Sequence, residues 1–598
     1  MSTFADLLHY LKIYRRYIGR RIYIVFVLAA ATAFTQGFGI SLLLPLLRAS
    51  KTGGSTEDMG TAEQILYDLL TWMGIADSMG GILVFIAAVF LGKGALSFAR
   101  GGYTSYLQAQ LLRELKGKLF DAYSKMKYRY YLQENTGHFI NVINQQVNRF
   151  FGSFNSFAGF FTDVITTASY FAFALAITWQ FSTLAMGIGA GMLFLFKYLN
   201  SYVRYLSRQQ SAEASTLNKF LVQSLQSFKY IASTGQIDHI RTEVMDSVGR
   251  LTGYQFRQGL AGTLTSSLKE PVSVLLITGI IALQVVVFEA PVAPIFVALF
   301  LFHRGMQSMM AIQSSWQSVM NSIGSVEMVV EDLEQAQAHR ESTGTRTLDD
   351  LSEGLSFHHV HYAYDEEGDV LHDINIDVPV NQTVALVGES GAGKSTLVDM
   401  MTLMLRPRTG ELRIDGVPHD EVDVASWRKQ IGYVSQETVV FDDTIANNIN
   451  LWRGDIESEA GLRERVIDAA ERAHADHFIR DLPNGYQTVV GDRGVRLSGG
   501  QRQRLFVARE LFKQPNLLLL DEATSDLDTA SEQHIQDSID ALQGEVTVVI
   551  IAHRLSTVKN ADRVYVLDEG RVVEQGSYHE LRSRENGEFR EMVEMQSL

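Results

Sequence analysis

The stretch TVALVGESGAGKST, residues 383–396, decides the fold of the second half of this 598-residue chain. It joins a β-type run to the pattern GxxxxGKS between Gly388 and Ser395, which is typical of a phosphate-binding loop between a strand and a helix. Glycines let backbone N–H groups approach phosphates, Lys394 can reach the β and γ phosphates, and Ser395 can hold Mg²⁺. The stretch therefore predicts an α/β domain that binds ATP and Mg²⁺.

A second motif, LLLLDEATS at residues 517–525, supplies acidic groups. A continuous apolar run is typical of a strand buried on both faces, here Leu517 to Leu520. Asp521 at its carboxyl end can bind the Mg²⁺ shell, and Glu522 can polarise the attacking water. Such a pair alone is more typical of a solvated turn, but the phosphate loop upstream favours a catalytic site.

The pentapeptide LSGGQ at Leu497–Gln501, followed by RQR, separates one family from other phosphate-loop ATPases. With it, the second half resembles the nucleotide-binding domain of ABC transporters. The resemblance implies that Glu522 and His553 are catalytic. It implies Mg²⁺ ligands at Ser395, Gln436 and Asp521, and the following nucleotide-binding residues: Tyr364, Gly388, Ser390, Gly391, Gly393, Lys394, Ser395, Thr396, Gln436, Ser498, Gly499, Gly500, Gln501 and Asp521.

Three further segments fit the same family. Tyr364 resembles the aromatic residue that stacks on adenine; the alternative is an ordinary strand aromatic, a role that also fits neighbouring Tyr362. TVVGDRG at Thr488–Gly494 resembles a segment found in exporters. SDLD at Ser525–Asp528 resembles the loop that joins two ATP sites, with Asp526 where the family usually has alanine.

The resemblance also implies that two chains are required. In the family, LSGGQ of one domain closes over ATP held by the phosphate loop of the other. One chain has one copy of each, so we expect a homodimer with two working sites. A heterodimer with a degenerate partner stays open.

Long apolar runs occupy the first half of the chain, before about residue 325. About 20 apolar residues cross the roughly 30 Å of hydrocarbon in a bilayer. The last run is interrupted by His303 and Arg304 but continues as an amphipathic helix, with one side suited to a wet cavity. Six spans are predicted, at residues 22–47, 79–99, 157–178, 182–200, 271–288 and 291–320.

Basic residues before residue 22 and in the connections 100–155 and 201–268 place these segments in the cytoplasm. Both connections are predicted to be helical and resemble the intracellular extensions of ABC exporters. We therefore predict a multi-pass inner (plasma) membrane protein with a cytoplasmic ATPase domain. Its expected organisation is an α-helical polytopic membrane domain at 1–330, a linker at 331–353 and an α/β nucleotide-binding domain at 354–598.

Composition excludes some classes of protein. The net charge of −15 argues against a nucleic-acid partner, because phosphate backbones are bound by basic surfaces. The chain has no cysteine, which excludes disulfides, thiolate catalysis and zinc–thiolate sites. A channel gated by ATP and a peptide exporter with an N-terminal protease-like domain are weaker alternatives, since the catalytic residues are intact and only about 20 residues precede the first span.

Three cations fall in the inner half of the predicted spans and a fourth lies at the start of the fifth span, at depths where charge is costly unless it faces a cavity or a partner. They could form a ring for an anionic head group, or could snorkel to the interface or pair with Asp163. An amphipathic helix predicted at Ala62–Ile75 and the ending GISLLLPLL at Gly39–Leu47 resemble those of lipid-linked oligosaccharide flippases. We favour an anionic lipid or lipid-linked oligosaccharide as cargo, with a broad-specificity multidrug exporter as the alternative. The candidate substrate residues are Lys93, Lys197, Lys269 and Arg304.

Overall fold

The chain divides into two compact units in a computed structural model. The first unit comprises Met1–Met126 and Tyr130–Arg340, and the second comprises Lys127–Arg129 and Glu341–Leu598. The structure describes residues 3–49, 61–76, 78–177, 179–268, 270–271, 274–275, 278–279, 282, 295–364, 368–523, 529–552 and 554–596.

The regular elements in the described residues of the first unit are all helices, joined by short turns. A short π-helical turn at Val142–Gln146 precedes its eighth helix. The helices are α1 Thr3–Ile18, α2 Ile22–Ser41, α3 Leu43–Ala49, α4 Thr61–Trp72, α5 Met79–Tyr123, α6 Tyr128–Gln133, α7 Thr136–Asn141, α8 Val147–Ile177, α9 Trp179–Gln226, α10 Phe228–Ser233, α11 Ile237–Ser267 and α12 Ile295–Ala338.

Several of these helices exceed the thickness of a bilayer. The 45 residues of α5 span about 68 Å at 1.5 Å per residue, roughly twice the hydrocarbon core. The apolar runs therefore continue into long polar extensions, as the sequence predicts for the two connections. In the same way α12 runs on to Ala338, so the first residues of the predicted linker are helical.

Three helical stretches among the described residues are long and apolar enough to cross a membrane: Leu7–Leu46, Met79–Tyr123 and Thr136–Ala176. They contain most of the first three predicted spans. The spans predicted at 182–200 and 291–320 fall largely on α9 and α12. The span predicted at 271–288 lies mostly outside the described residues.

Leucines stabilise the extension of α5 beyond the apolar run. They recur at every fourth position and are fully buried, together with Val142, Phe150 and Phe154 from the neighbouring helices. Residues four apart lie on one face of a helix, so this stripe packs the extension along its length. The leucines are Leu107, Leu111, Leu115 and Leu119.

Close helix packing in the first unit depends on Gly324 of α12. A Cβ atom at this position would lie 2.5 Å from the carbonyl oxygen of Ser207 on α9. The Gly324 amide instead donates to the Ser207 hydroxyl at 3.0 Å. Any larger residue would push the two helices apart.

The amphipathic helix predicted before the second span, at Ala62–Ile75, corresponds to α4, Thr61–Trp72. Leu66 and Leu70 are buried beside Leu42, whereas Ile65 and Trp72 are 65% and 85% exposed. The structure confirms the predicted helix; part of its apolar surface packs within its own unit and the rest is exposed.

The second unit contains two sheets. The larger has the order β10-β9-β3-β8-β7-β6, in which only β10 is antiparallel to its neighbour, and the smaller, β2-β1-β4-β5, is antiparallel. The strands are β1 Gly354–Tyr362, β2 Leu371–Pro379, β3 Thr383–Gly388, β4 Thr409–Ile414, β5 Val417–Pro418, β6 Ile431–Val434, β7 Leu517–Asp521, β8 Thr547–Ile551, β9 Arg563–Asp568 and β10 Arg571–Gly576.

Helices cover the parallel sheet, as they must when its strands are apolar on both faces. Strand β7 is buried at all five positions, which agrees with the interpretation of LLLLD as an interior strand. The helices are α13 Lys394–Met401, α14 Val424–Lys429, α15 Ile445–Asn450, α16 Ala460–Arg472, α17 Asp476–Arg480, α18 Gly499–Phe512, α19 Thr529–Asp540, α20 Tyr578–Ser583 and α21 Glu588–Gln596.

A buried arginine ties α18 to the segment after β6. Arg509 is 3% exposed and donates to the Asn448 carbonyl at 2.6 Å and the Asn448 side chain at 2.9 Å. It also donates to the Val439 carbonyl at 2.7 Å. Burial lowers the pKa of Arg509 to about 10, so it stays charged at neutral pH.

We expect an Arg509→Met variant to lose about 2–4 kcal/mol of stability, because buried acceptors would lose charged donors. Differential scanning calorimetry of the detergent-solubilised protein measures the lowered transition temperature. Arg480→Met is the matched control, since Arg480 is 62% exposed in its ion pair and contributes little. Equal shifts for the two variants would show that burial of Arg509 is unimportant.

Candidate nucleotide site

The functional motifs of the second unit gather at one edge of the parallel sheet. Strands β3, β8 and β7 are neighbours, and Gly388 and Asp521 end β3 and β7. The carboxyl ends of parallel strands meet at the same edge, where ligands bind in open α/β sheets. The topology thus brings the phosphate loop to the acidic pair 133 residues later in the chain, counting from Gly388 to Asp521.

The loop between β3 and α13 has the backbone that its glycines predict. Gly388 has φ of 150° and Gly393 has φ of 96°, conformations that L side chains rarely adopt. At Gly388 a Cβ would also lie 2.1 Å from the Leu567 carbonyl oxygen. Ser390 and Gly391 lie in the turn, and α13 begins at Lys394, followed by Ser395 and Thr396.

Lys394 points its ammonium group into the loop. Its Nζ donates to the carbonyl oxygens of Gly388 at 2.9 Å and Glu389 at 2.7 Å. Burial lowers the pKa of Lys394, and the negative charges of Glu522 and Asp521 partly offset this effect. The cation is therefore held at the start of a helix whose N–H groups favour phosphate.

Tyr364 lies close to the same loop. Its hydroxyl is 3.1 Å from the Thr396 hydroxyl, and its ring packs edge-on against Tyr362 with centroids 5.1 Å apart. Tyr362 is buried in the core of the second unit, whereas Tyr364 is half-buried. Of the two tyrosines, Tyr364 is the one available to a nucleotide.

Gln436 and Glu522 meet although they come from different motifs. The Gln436 amide donates to Glu522 Oε2 at 2.6 Å. Strands β6 and β7 pair through Val434 and Leu520, so the residues that follow each strand lie together. Glu522 has φ of 51°, a left-handed turn that directs the chain sharply out of the sheet.

The carboxylates near Asp521 form a crowded negative site. Asp521 is 7% exposed, and the hydroxyl of Tyr433 donates to its Oδ2 at 3.5 Å. Burial, and then the charge of Asp521, raise the pKa of Asp399 to about 6. Sequence reasoning missed Tyr433 and Asp399, and their only signal was proximity in the chain to Gln436 and to the phosphate loop.

The LSGGQ segment begins α18. Ser498 is the N-cap of the helix. Its hydroxyl accepts from the backbone N–H of Gln501 at 3.3 Å, and the Gln501 side-chain oxygen accepts from the backbone N–H of Ser498 at 2.9 Å. Ser498 and Gly499 are exposed, whereas Gly500 is buried. The helix thus presents a capped N-terminus and a hydroxyl at the surface, a combination suited to phosphate.

The remaining predicted residues lie either outside the described residues or on helices of the first unit. His553 and the SDLD residues 525–528 lie outside the described residues, as does Lys269. On α12, Arg304 is exposed and its guanidinium lies 5.5 Å from the Phe300 ring centre. It is near enough to Lys93 of α5 for the two charges to repel, and Lys197 of α9 is exposed.

Comparison with known proteins gives the same two parts in the same order. Residues 22–317 match the ABC transporter transmembrane region, and residues 371–525 match the ABC transporter family. The chain belongs to the ABC transporter family. It is a multidomain protein with a helical membrane domain and an α/β nucleotide-binding domain, which confirms the predicted fold class.

Relatives place it among exporters. It is 32% identical to the heterocyst differentiation ATP-binding protein HepA of Nostoc sp., covering 82% of this chain and 80% of that protein. It is 31% identical to the ATP-dependent lipid A-core flippase of Coxiella burnetii, covering 86% of each. A solved bacterial Atm1-family ABC exporter with ATP bound matches 98% of this chain and 99% of that chain, at 25% identity and a TM-score of 0.78. The protein hydrolyses ATP and couples hydrolysis to export.

Proposed function

We propose that the protein is a homodimeric flippase that moves an anionic lipid or lipid-linked oligosaccharide across the inner membrane. Its relatives include ATP-dependent lipid A-core flippases, whose names give a lipid as the cargo. The observation that carries the proposal is the pair of neighbouring cations, Lys93 on α5 and Arg304 on α12, both within predicted spans. The basic connections between the predicted spans orient the protein so that its ATP-binding unit is cytoplasmic.

At the nucleotide site, Lys394 would bind the terminal phosphates and Tyr364 would stack on adenine. Ser395, Gln436 and Asp521 would hold Mg²⁺, since their oxygen atoms are ligands that this ion prefers. The position of Asp521 supports this assignment, because its carboxylate ends β7 at the same edge of the sheet as the phosphate loop that ends β3. Mg²⁺ would neutralise phosphate charge during transfer.

Glu522 and His553 would act in hydrolysis, Glu522 by orienting and polarising the attacking water and His553 by contacting the γ-phosphate. Gln436 contacts Glu522 in the structure. When the Gln436 side chain turns to bind Mg²⁺, its hydrogen bond to Glu522 would break. Two such sites would close when the LSGGQ segment of each chain covers ATP on the other. Closure and release would drive the membrane helices between inward- and outward-facing states.

The cations in the membrane half would hold an anionic head group. Arg304 lies about 10 residues into α12, roughly 15 Å along its axis, and its charge is exposed rather than paired with Asp163. The carboxylate of Asp163 instead accepts from Ser315 at 2.7 Å. A charge exposed at membrane depth is costly without a polar ligand or cavity, which favours a role in binding.

We expect anionic lipid to stimulate the ATPase of the protein in proteoliposomes, and Arg304→Ala to reduce this stimulation at least about 10-fold, equivalent to the loss of one charged contact. Phosphate release is measured with an anionic glycolipid, a neutral glycolipid and a cationic drug. Arg241→Ala, an exposed cation outside the predicted spans, is the matched control. Stimulation by drugs alone would support the multidrug alternative, and unchanged stimulation of Arg304→Ala would reject the cation site.

A further inference from the structure

Two histidines and an aspartate converge beside strands β1 and β2, and none of the three is assigned to ATP. Tyr362 pairs with Leu371 in this antiparallel ladder, so His361 and His372 lie opposite each other on one face of the strand pair. Asp369, two residues before β2, places its Oδ2 3.6 Å from His361 Nδ1. One donor atom from each of these three residues lies within 4.8 Å of the others.

We propose that His361, Asp369 and His372 bind a divalent transition-metal ion of the zinc type. Two imidazoles and a carboxylate form a ligand set that suits zinc and its neighbours and does not favour Mg²⁺. Tetrahedral bonds of about 2.0–2.1 Å separate ligand atoms by about 3.4 Å. Side-chain rotations that move the donor atoms by about an ångström therefore bring them into position. All three residues are half-buried, which leaves room for water as the fourth ligand.

The surroundings of the three residues resemble an outer coordination shell. Arg408 Nη1 lies 3.5 Å from Asp369 Oδ1, whereas the other carboxylate oxygen, Oδ2, is the one near His361. The Arg408 amide donates to the His361 carbonyl at 2.9 Å, and the His372 amide donates to the Gly570 carbonyl at 2.8 Å. Such partners orient metal ligands and limit their motion.

A nearby histidine–aspartate pair provides an internal comparison. His359 Nδ1 lies 2.6 Å from Asp373 Oδ1 on the same two strands, and the side chains are 77% and 52% exposed. In the described part of the chain, that pair belongs to no group of three possible ligands. A metal at the proposed site would hold the end of β1 to the start of β2, which assigns it a structural role.

The test uses the full chain in detergent, purified with a histidine-free tag, stripped of metal and kept without nucleotide. Titration with Co²⁺, followed by its visible absorption, is expected to saturate at one ion per chain, and Zn²⁺ is expected to displace that ion while Mg²⁺ does not. His361→Gln and His372→Gln should each weaken binding by about 100-fold or more. Asp369→Asn, which nearly conserves side-chain volume, should do the same.

His359→Gln is the matched control and should bind Co²⁺ like the wild type. The ATPase rate without added transition metal should be unchanged in all four variants, which shows that they fold. Absence of saturable binding to the wild type would overturn the proposal. Equal losses of binding in His359→Gln and His361→Gln would also overturn it. Neither result depends on the proposed cargo.

Discussion

A Glu522→Gln variant is expected to bind ATP as tightly as the wild type and to hydrolyse it at least about 100-fold more slowly. Glutamine has nearly the same shape and its side-chain oxygen can still accept from Gln436, so the turn after β7 should persist. What disappears is the carboxylate that polarises water. Phosphate release measures turnover, and equilibrium binding of labelled ATP measures affinity.

The same variant should accumulate as a closed dimer when ATP and Mg²⁺ are added, because capture continues while hydrolysis does not. Size-exclusion chromatography and cross-linking report this state. Glu437→Gln is the matched control: it removes an exposed carboxylate one residue after Gln436 and should leave turnover unchanged. Normal turnover in Glu522→Gln would show that another group activates the water.

The phosphate loop and the buried strand before Asp521 could be predicted because their chemistry depends on neighbours in the chain. A loop such as 388–395 needs glycines and a lysine at fixed spacing, and an interior strand needs a continuous apolar run. In the structure the phosphate loop follows β3, and the buried strand is β7, which ends at Asp521.

Contacts that depend on strand order could not be predicted in this way. Gln436 reaches Glu522 only because β6 pairs with β7, and no local pattern encodes that neighbour. The burial of Arg509 is also invisible in the sequence, since an arginine on a helix is usually solvated. His361 and His372 are likewise paired only by the register of β1 and β2.

In the membrane half, too, one property can be predicted from the sequence and another cannot: the depth of a residue can, and the side of the helix that faces a neighbour cannot. Counting residues along a helix estimates how deep Arg304 lies, because the rise per residue is fixed. It does not determine which side the residue faces, since that depends on how α12 packs against other helices. Helix α4 illustrates this limit: the sequence predicts its apolar residues, but only the packing shows that Leu66 and Leu70 are buried within their own unit while Ile65 and Trp72 are exposed.

We expect Lys394→Ala and Ser498→Arg each to reduce ATPase activity at least about 100-fold as homodimers, since each removes one half of both proposed shared sites. In a heterodimer of the two variants, one site contains both defects. The other site contains the intact Lys394 loop of one chain and the intact LSGGQ segment of its partner. Heterodimers isolated with two different tags should therefore recover activity, measured as phosphate release.

The matched control pairs a wild-type chain with a chain that carries both changes. It contains the same number of substitutions, but every site shared between chains now has one defect, so activity should stay at least about 10-fold below that of the first heterodimer. If each site lay within a single chain, the control would be the more active heterodimer, because its wild-type chain would keep one complete site. The two heterodimers thus separate a nucleotide held between chains from one held within a chain, and an active control beside an inactive test pair would reject the dimeric mechanism.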